Sequence, residues 1–176
     1  MEMGTAAIRR YREYDAARVG QLIADTFSEF NLAGASPEQR AAFLGPFRYA
    51  GSPEQAHREA IARVIRAPLV FVAEEGGEIV GVLRGGRRDQ AQRTVLQSLF
   101  VRGDHHRRGI GRQLVECFEQ ECLRRGATVI RVAATPYAVP FYVKMGYKRT
   151  TGVRSVICFD GSGLEVQPMR KVFDVQ

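Results

Sequence analysis

The stretch His106-Arg107-Arg108-Gly109-Ile110-Gly111-Arg112 decides how this chain is read. An apolar run at 95–101 leads into it, and an amphipathic pattern at 112–125 follows. An extended segment that opens through two glycines into a helix start leaves several backbone N–H groups without partners, all aimed at one place. The positive end of the helix dipole and the flanking arginines add to them, which makes a cradle for a pyrophosphate. The glycines let that ligand approach the backbone where a Cβ would collide. Spacing removes two phosphate loops. The dinucleotide fingerprint G-x-G-x-x-G needs Gly or Ala where this chain has Leu114, and the G-x-x-x-x-G-K-S/T loop needs a Gly-Lys pair, which the sequence lacks.

Composition bounds what surrounds the loop. A chain of 176 residues with 45% hydrophobic and 26% charged residues is expected to fold as a single domain over 1–176. No apolar run approaches the ~18 residues that span a bilayer, and the N-terminus shows no signal-peptide pattern. Cys117 and Cys122 lie on one predicted helix with diverging side chains, and Cys158 is remote, so no disulfide framework is expected and the cytoplasm is the expected setting. No Cys/His/Asp cluster has ligand spacing, so no metal is expected. The net charge of +7 concentrates between Arg84 and Arg112, where eight arginines face Asp89 and Asp104. A nucleic-acid surface would interleave aromatics with that charge, and this stretch holds only Phe100. A coenzyme with several phosphates explains the basic rim without RNA, although a ribosome- or RNA-associated factor stays open as an alternative.

Periodicity supplies the rest of the framework. A strand is predicted at 6–11, then a helix capped by Asp15 with Val19, Leu22, Ile23, Phe27 and Phe30 on one face. Ser36-Pro37-Glu38-Gln39 and Ser52-Pro53-Glu54-Gln55 both read as capped helix starts. A hairpin follows, 69–73 and 78–84 about Gly76-Gly77, then a polar loop at 85–93. Leu114, Val115, Phe118, Cys122 and Leu123 are expected to face a core, with Gly126 ending their helix. The β-branched run at 128–133 reads as a strand beside 95–101, joined to it by a right-handed crossover. Pro140 opens a short helix, and two strands, 149–159 and 164–173, flank the turn Asp160-Gly161-Ser162-Gly163. The order predicts an α/β domain with one mixed central sheet flanked by helices.

The loop resembles the R/Q-x-x-G-x-G/A element of the GNAT superfamily of acyl-CoA-dependent N-acetyltransferases. Gly109 and Gly111 match, and His106 stands where that element has Arg or Gln. A second segment, Thr135-Pro-Tyr-Ala138-Val-Pro-Phe141-Tyr142-Val-Lys-Met-Gly146-Tyr147, is similar to the family's N-x-x-A-x-x-F-Y-x-x-x-G-F, with Thr135 in place of the usual Asn.

The resemblance implies central strands that splay apart and acetyl-CoA as co-substrate. It implies that the pantetheine arm pairs with Leu99 and Val101 like an added strand, and that the N–H of Leu99 or Phe100 polarises the thioester carbonyl. The pyrophosphate would lie on the backbone of Arg107, Arg108, Gly109, Ile110, Gly111 and Arg112, with His106 beside it and Thr135 and Phe141 in contact with the coenzyme. Tyr142 would act as general acid toward the leaving thiolate, with a primary amine on a small molecule or protein as acceptor. Where some members carry a Glu, this chain reads Val95-Leu96-Gln97-Ser98-Leu99, so the base stays open among Glu74, Glu75, Asp89 and a water held by Gln97 or Ser98. Glu74 and Glu75 otherwise read as surface acids, and His105 and His106 as loop donors near the phosphate. Phe27, Phe30, Asn31, Phe43, Phe47 and Tyr49 fall in the part of the family that commonly borders the acceptor, although Phe27 and Phe30 lie on their helix's apolar face and core packing is the favoured job. A non-catalytic acyl-CoA-binding module is the alternative. Polyamines, aminoglycosides, amino acids, protein N-termini and lysine all stay open as acceptors. A basic surface suits acidic acceptors, and Glu29, Glu38 or Glu59 would reverse that preference. The family also makes a homodimer an expectation.

Overall fold

The computed structural model describes residues 5–174. The strands, β1 (Ala7–Arg10), β2 (Leu69–Glu75), β3 (Glu78–Gln90), β4 (Arg93–Val101), β5 (Val129–Ala134), β6 (Lys148–Arg149), β7 (Arg154–Cys158) and β8 (Gly161–Val172), join in an eight-stranded sheet. Its order is β1-β2-β3-β4-β5-β8-β6, with β7 pairing β8. The β4–β5 pair is parallel and every other pair is antiparallel. This is the expected α/β architecture around one mixed sheet.

Two hydrophobic layers sandwich the sheet. Helices α4 (Ile110–Arg124) and α5 (Val139–Lys144) cover one face, where Leu114, Val115 and Phe118 pack on Leu83, Leu96 and Ile130. Helices α1 (Ala16–Phe30), α2 (Pro37–Leu44) and α3 (Gln55–Ile65) cover the other, where Val19, Ile23 and Phe27 meet Val72 and Val82. The β7–β8 hairpin closes over α2 so tightly that a Cβ on Gly161 would lie 2.4 Å from the Phe43 ring, and one on Gly45 2.3 Å from Phe159.

Several local expectations are corrected. The 85–93 segment is no loop: β3 runs on to Gln90 and turns directly into β4, its polar composition reflecting the exposure of residues 87–90. Asp15 does not cap α1 with its side chain; it is fully buried and its carboxylate accepts from Arg9 (2.8 and 2.9 Å), Arg18 (2.8 Å) and the Arg12 backbone N–H (2.8 Å). Ser36 forms its capping box with Gln39, but Ser52 does not, and α3 begins at Gln55 with Ser52 Oγ instead 2.8 Å from His57 Nδ1. Leu123 lies outside the buried stripe of α4 and is 37% exposed. The last hairpin turns at Phe159-Asp160, starting one residue before the expected turn and sharing only Asp160 with it, with Phe159 in the left-handed region (φ 53°).

One irregularity sets up the site. Arg84 pairs with Ser98 while its neighbour Gly85 pairs with Leu96, so Gln97 is an extra residue bulged out of β4. A bulge re-aims every side chain beyond it. Leu96 therefore faces α4, whereas Ser98 and Phe100 face α1. Pairing with β5 also ends there, at Leu96–Val132, while β4 continues five residues to Val101.

Candidate active site

The gap between β4 and β5 opens into a cavity of about 950 Å³, in the range of small-molecule sites. Its rims carry unpaired backbone. The Arg102 N–H donates to the Val80 carbonyl (2.9 Å), so by antiparallel alternation Phe100 and Ser98 bond toward β3. Leu99 and Val101 then present their N–H and C=O groups to the gap. The backbone of Phe100 thus turns away from the gap, and its ring lines the cavity on the α1 face, 5.8 Å edge-on from Phe27.

The loop before α4 curls around one point. His106 is extended, Arg107 has φ 60° and Gly109 has φ 80° with ψ 2°. Left-handed residues spaced this way turn successive N–H groups inward as an anion nest, continuous here with the free N–H groups of the first turn of α4. Arg107 pays for this with a conformation that a non-glycine residue rarely adopts.

Side chains brace the nest from behind. Glu75 accepts from Arg108 Nη2 (2.5 Å) and lies 2.7 Å from His105 Nε2, and Asp104 lies 2.6 Å from His105 Nδ1. The Arg108 hydrogen bond, then that of His105, holds the Glu75 carboxyl below the usual carboxylate range. Glu75 is therefore no plain surface acid, and the side chains of Arg108 and His105 are committed to it rather than to the nest. His106 is likewise committed: its Nε2 lies 2.6 Å from the Val101 carbonyl, which can only accept, so this nitrogen carries the proton. The His106 ring sits 4.6 Å from Phe30, which stacks on Tyr137 at 5.2 Å, and Asn31 Nδ2 donates to Thr135 Oγ1 at 2.7 Å. The end of α1 thereby meets both the loop and the β5–α5 turn across the cavity mouth.

Tyr142 lies under the gap with 3% of its surface exposed, packed against Phe141 and Tyr147 (5.2 and 5.4 Å between ring centroids). It lines the cavity, and its hydroxyl makes no hydrogen bond among the described residues. Burial pushes the phenol pKa up. Gly111 and Phe141 adjoin it; a Cβ on Gly111 would lie 3.3 Å from the Phe141 ring.

Residues 35–173 match the family model described as "Acetyltransferase (GNAT) domain". The chain belongs to the GNAT acetyltransferase family. Among solved structures the acetyltransferase is similar to a GCN5-related N-acetyltransferase from Rhodopseudomonas palustris (TM-score 0.73, 24% identity, 98% of this chain and 99% of that one). It also resembles the PaiA N-acetyltransferase from Thermoplasma acidophilum in complex with coenzyme A (0.71, 18%, 96% and 99%). A third is YncA, a putative acetyltransferase from Salmonella typhimurium, with acetyl-CoA (0.61, 20%, 97% and 95%). No curated protein sequence gives a significant match.

The acids considered as a base for this acetyltransferase stand away from the cavity. Glu74 pairs with Arg9 (2.6 Å), Glu75 with Arg108, and Asp89 with Arg93 (2.9 Å) and Arg131 (3.0 Å). Gln97 and Ser98 do line it. Phe27, Phe30, Asn31 and Phe47 line it as well, whereas Phe43 is spent on the β7–β8 hairpin. Arg84 was not anticipated. It sits in the cavity wall, and the usable signal was its place two residues after Val82 on one face of a strand, where alternation expects another apolar residue.

Proposed function

We propose that this acetyltransferase moves the acetyl group to a primary amine by direct attack on the thioester, with Tyr142 as general acid. The observation that carries the reading is the strand gap: the gap-facing N–H and C=O of Leu99 and the N–H of Val101 on one rim, the 107–112 nest at one end, and below it a phenol with no hydrogen bond among the described residues. The nest would hold the pyrophosphate through backbone N–H groups, charge-assisted bonds worth about 1.5–3 kcal/mol each. The gap-facing N–H of Leu99 would hydrogen-bond the thioester oxygen as negative charge develops there. Phe141 and Thr135 would flank the pantetheine arm. As the amine nitrogen bonds to the carbonyl carbon and the C–S bond breaks, the Tyr142 hydroxyl passes its proton to the sulfur. The amine proton leaves to water held at Gln97 and Ser98.

A covalent detour through cysteine is disfavoured. Cys158 lines the cavity, but burial pushes its thiol pKa up and its Sγ donates to the Phe43 carbonyl at 3.5 Å. Initial rates of thiol release, with acetyl-CoA and amine both varied, test the reading. Intersecting double-reciprocal lines and an active Cys158→Ala variant are expected. Parallel lines with a dead Cys158→Ala variant would overturn direct attack, and acetyl-CoA binding without thiol release to any amine would leave a binding module.

A further inference from the structure

Resting on the acetyl-transfer reading above, we infer that the acceptor is an amine carrying a carboxylate on an apolar body, and that this carboxylate docks on Arg84. Arg84 projects from β3 toward α1, opposite Ser98 on β4. Its Nε donates to Ser98 Oγ at 3.0 Å and its Nη1 to the Val64 carbonyl. These two bonds fix the plane of the guanidinium and leave Nη2 without a partner among the described residues. No carboxylate among them pairs with it. Arg102, Arg108 and Arg112, farther along the chain, differ in this: Arg102 bonds Asp104 and Glu78, Arg108 bonds Glu75 and Arg112 bonds Glu116, whereas the nearby Arg87 and Arg88, which show no carboxylate partner either, are exposed to water. Burial disfavours the Arg84 cation and lowers its pKa, yet a guanidinium does not give up its proton in a protein. An ionised group withdrawn from water with no counter-ion is costly to keep, and a ligand carboxylate would relieve that cost.

The remaining wall agrees. Two acids line the cavity, Glu116 and Glu119; both stand on α4 across the sheet and are bound to Arg112 (2.7 Å) and Lys171 (2.9 Å). Glu29, Glu38 and Glu59 do not line it. A polycationic acceptor therefore finds no counter-charge on the α1 face, and an anionic one finds Arg84. Phe27, Phe47, Phe100 and Leu164 beside it suit an apolar side chain. Position matters too. Ser98, bonded to Arg84, adjoins Leu99, where the reacting carbonyl would lie. Pairing with Arg84 would also offset the acceptor carboxylate's own stabilisation of the ammonium form, which favours the neutral nucleophile.

The test offers the full chain with acetyl-CoA matched acceptors, leucine against leucinamide and phenylalanine against phenylalaninamide. Thiol release is compared per neutral amine. The acid is expected to exceed the amide in kcat/KM by at least tenfold, chiefly through KM. Arg84→Gln should bring the ratio near one and Arg84→Lys should retain part of it, with acetyl-CoA affinity by calorimetry equal in all three proteins to show an intact fold. Amides used as well as acids by the wild type, or a ratio that survives in Arg84→Gln, overturn the inference. If no amine releases thiol, acetyl transfer itself fails, and binding of N-acetylleucine against its amide in the presence of coenzyme A then decides. Preference for the acid that Arg84→Gln abolishes upholds the docking site, and equal or absent binding sinks it.

Discussion

Replacing Tyr142 by Phe removes one oxygen atom and tests the chemistry apart from the fold. The hydroxyl makes no hydrogen bond among the described residues, so its loss breaks none there, and the Phe ring keeps the packing against Phe141 and Tyr147. Stability should stay within about 0.5 kcal/mol of the wild type. A positioned general acid contributes about 10²- to 10⁴-fold, so kcat should fall by that factor, or roughly 2.7–5.4 kcal/mol of barrier at 1.36 kcal/mol per decade. Burial raises the phenol pKa, so the donor form persists through neutral pH and beyond the ordinary phenol range. The wild-type rate should therefore show no alkaline loss from this group below about pH 10. Thiol release on the best acceptor, a urea melt and an acetyl-CoA titration together form the assay. Turnover within about twofold of the wild type would falsify the proton-transfer role, and a kcat loss that tracked a lowered unfolding midpoint would reduce Tyr142 to packing.

Gly109→Ala should cost about 1–2 kcal/mol of stability from strain alone, because φ is 80° and the nearest atom to the new Cβ, Gln113 Nε2, is 4.0 Å away. Arg107→Gly should instead raise the melting temperature by relieving its left-handed strain at φ 60°; a lowered one would mean that the side chain stabilises the loop more than its backbone strains it. His106→Ala frees the Val101 carbonyl for the pantetheine arm and should tighten acetyl-CoA binding about two- to tenfold, the worth of one competing hydrogen bond. Weaker binding in that titration would show that the imidazole itself contacts the ligand. Asp15→Ala should cost about 1–3 kcal/mol, because it removes the carboxylate bonds to Arg9, Arg18 and the Arg12 backbone N–H while Arg9 keeps its pair with Glu74. Burial alone would raise the Asp15 pKa, but the Arg9 hydrogen bond, the Arg12 backbone N–H and Arg18 outweigh it and hold the carboxyl below its ordinary 3.8. Its contribution is thus complete above about pH 4 and lost as pH falls through the depressed folded value. Urea melts between pH 6 and 2 should show wild-type stability declining more steeply than that of Asp15→Asn.

Much of this was legible along the chain because local chemistry wrote it there. The Ser36 capping box, the Gly76-Gly77 turn and the 109–111 glycines depend on residues a few positions apart, and each occurs where spacing placed it. The errors fell where local sequence carries no record of surroundings. Residues 87–90 look like a loop because they are exposed, and Ser52 looks like a cap although a nearby imidazole takes its hydroxyl. Glu75 looked like a surface acid because its partners lie 30 and 33 positions away.

The sequence by itself determined the family and most of the element order, the strand expected at 149–159 dividing into β6 and β7, and it placed two glycines before a helix N-terminus, an arrangement that needs no distant residue to attract an anion. Tertiary structure alone decided what each side chain near that loop is free to do. It committed Arg108 and His105 to Glu75, turned His106 onto Val101, and left Arg84 on the wall of the cavity with no carboxylate partner among the described residues. Such assignments depend on which carboxylates and carbonyls arrive from other strands, and only the pairing of β2, β3 and β4 brings them within hydrogen-bonding distance.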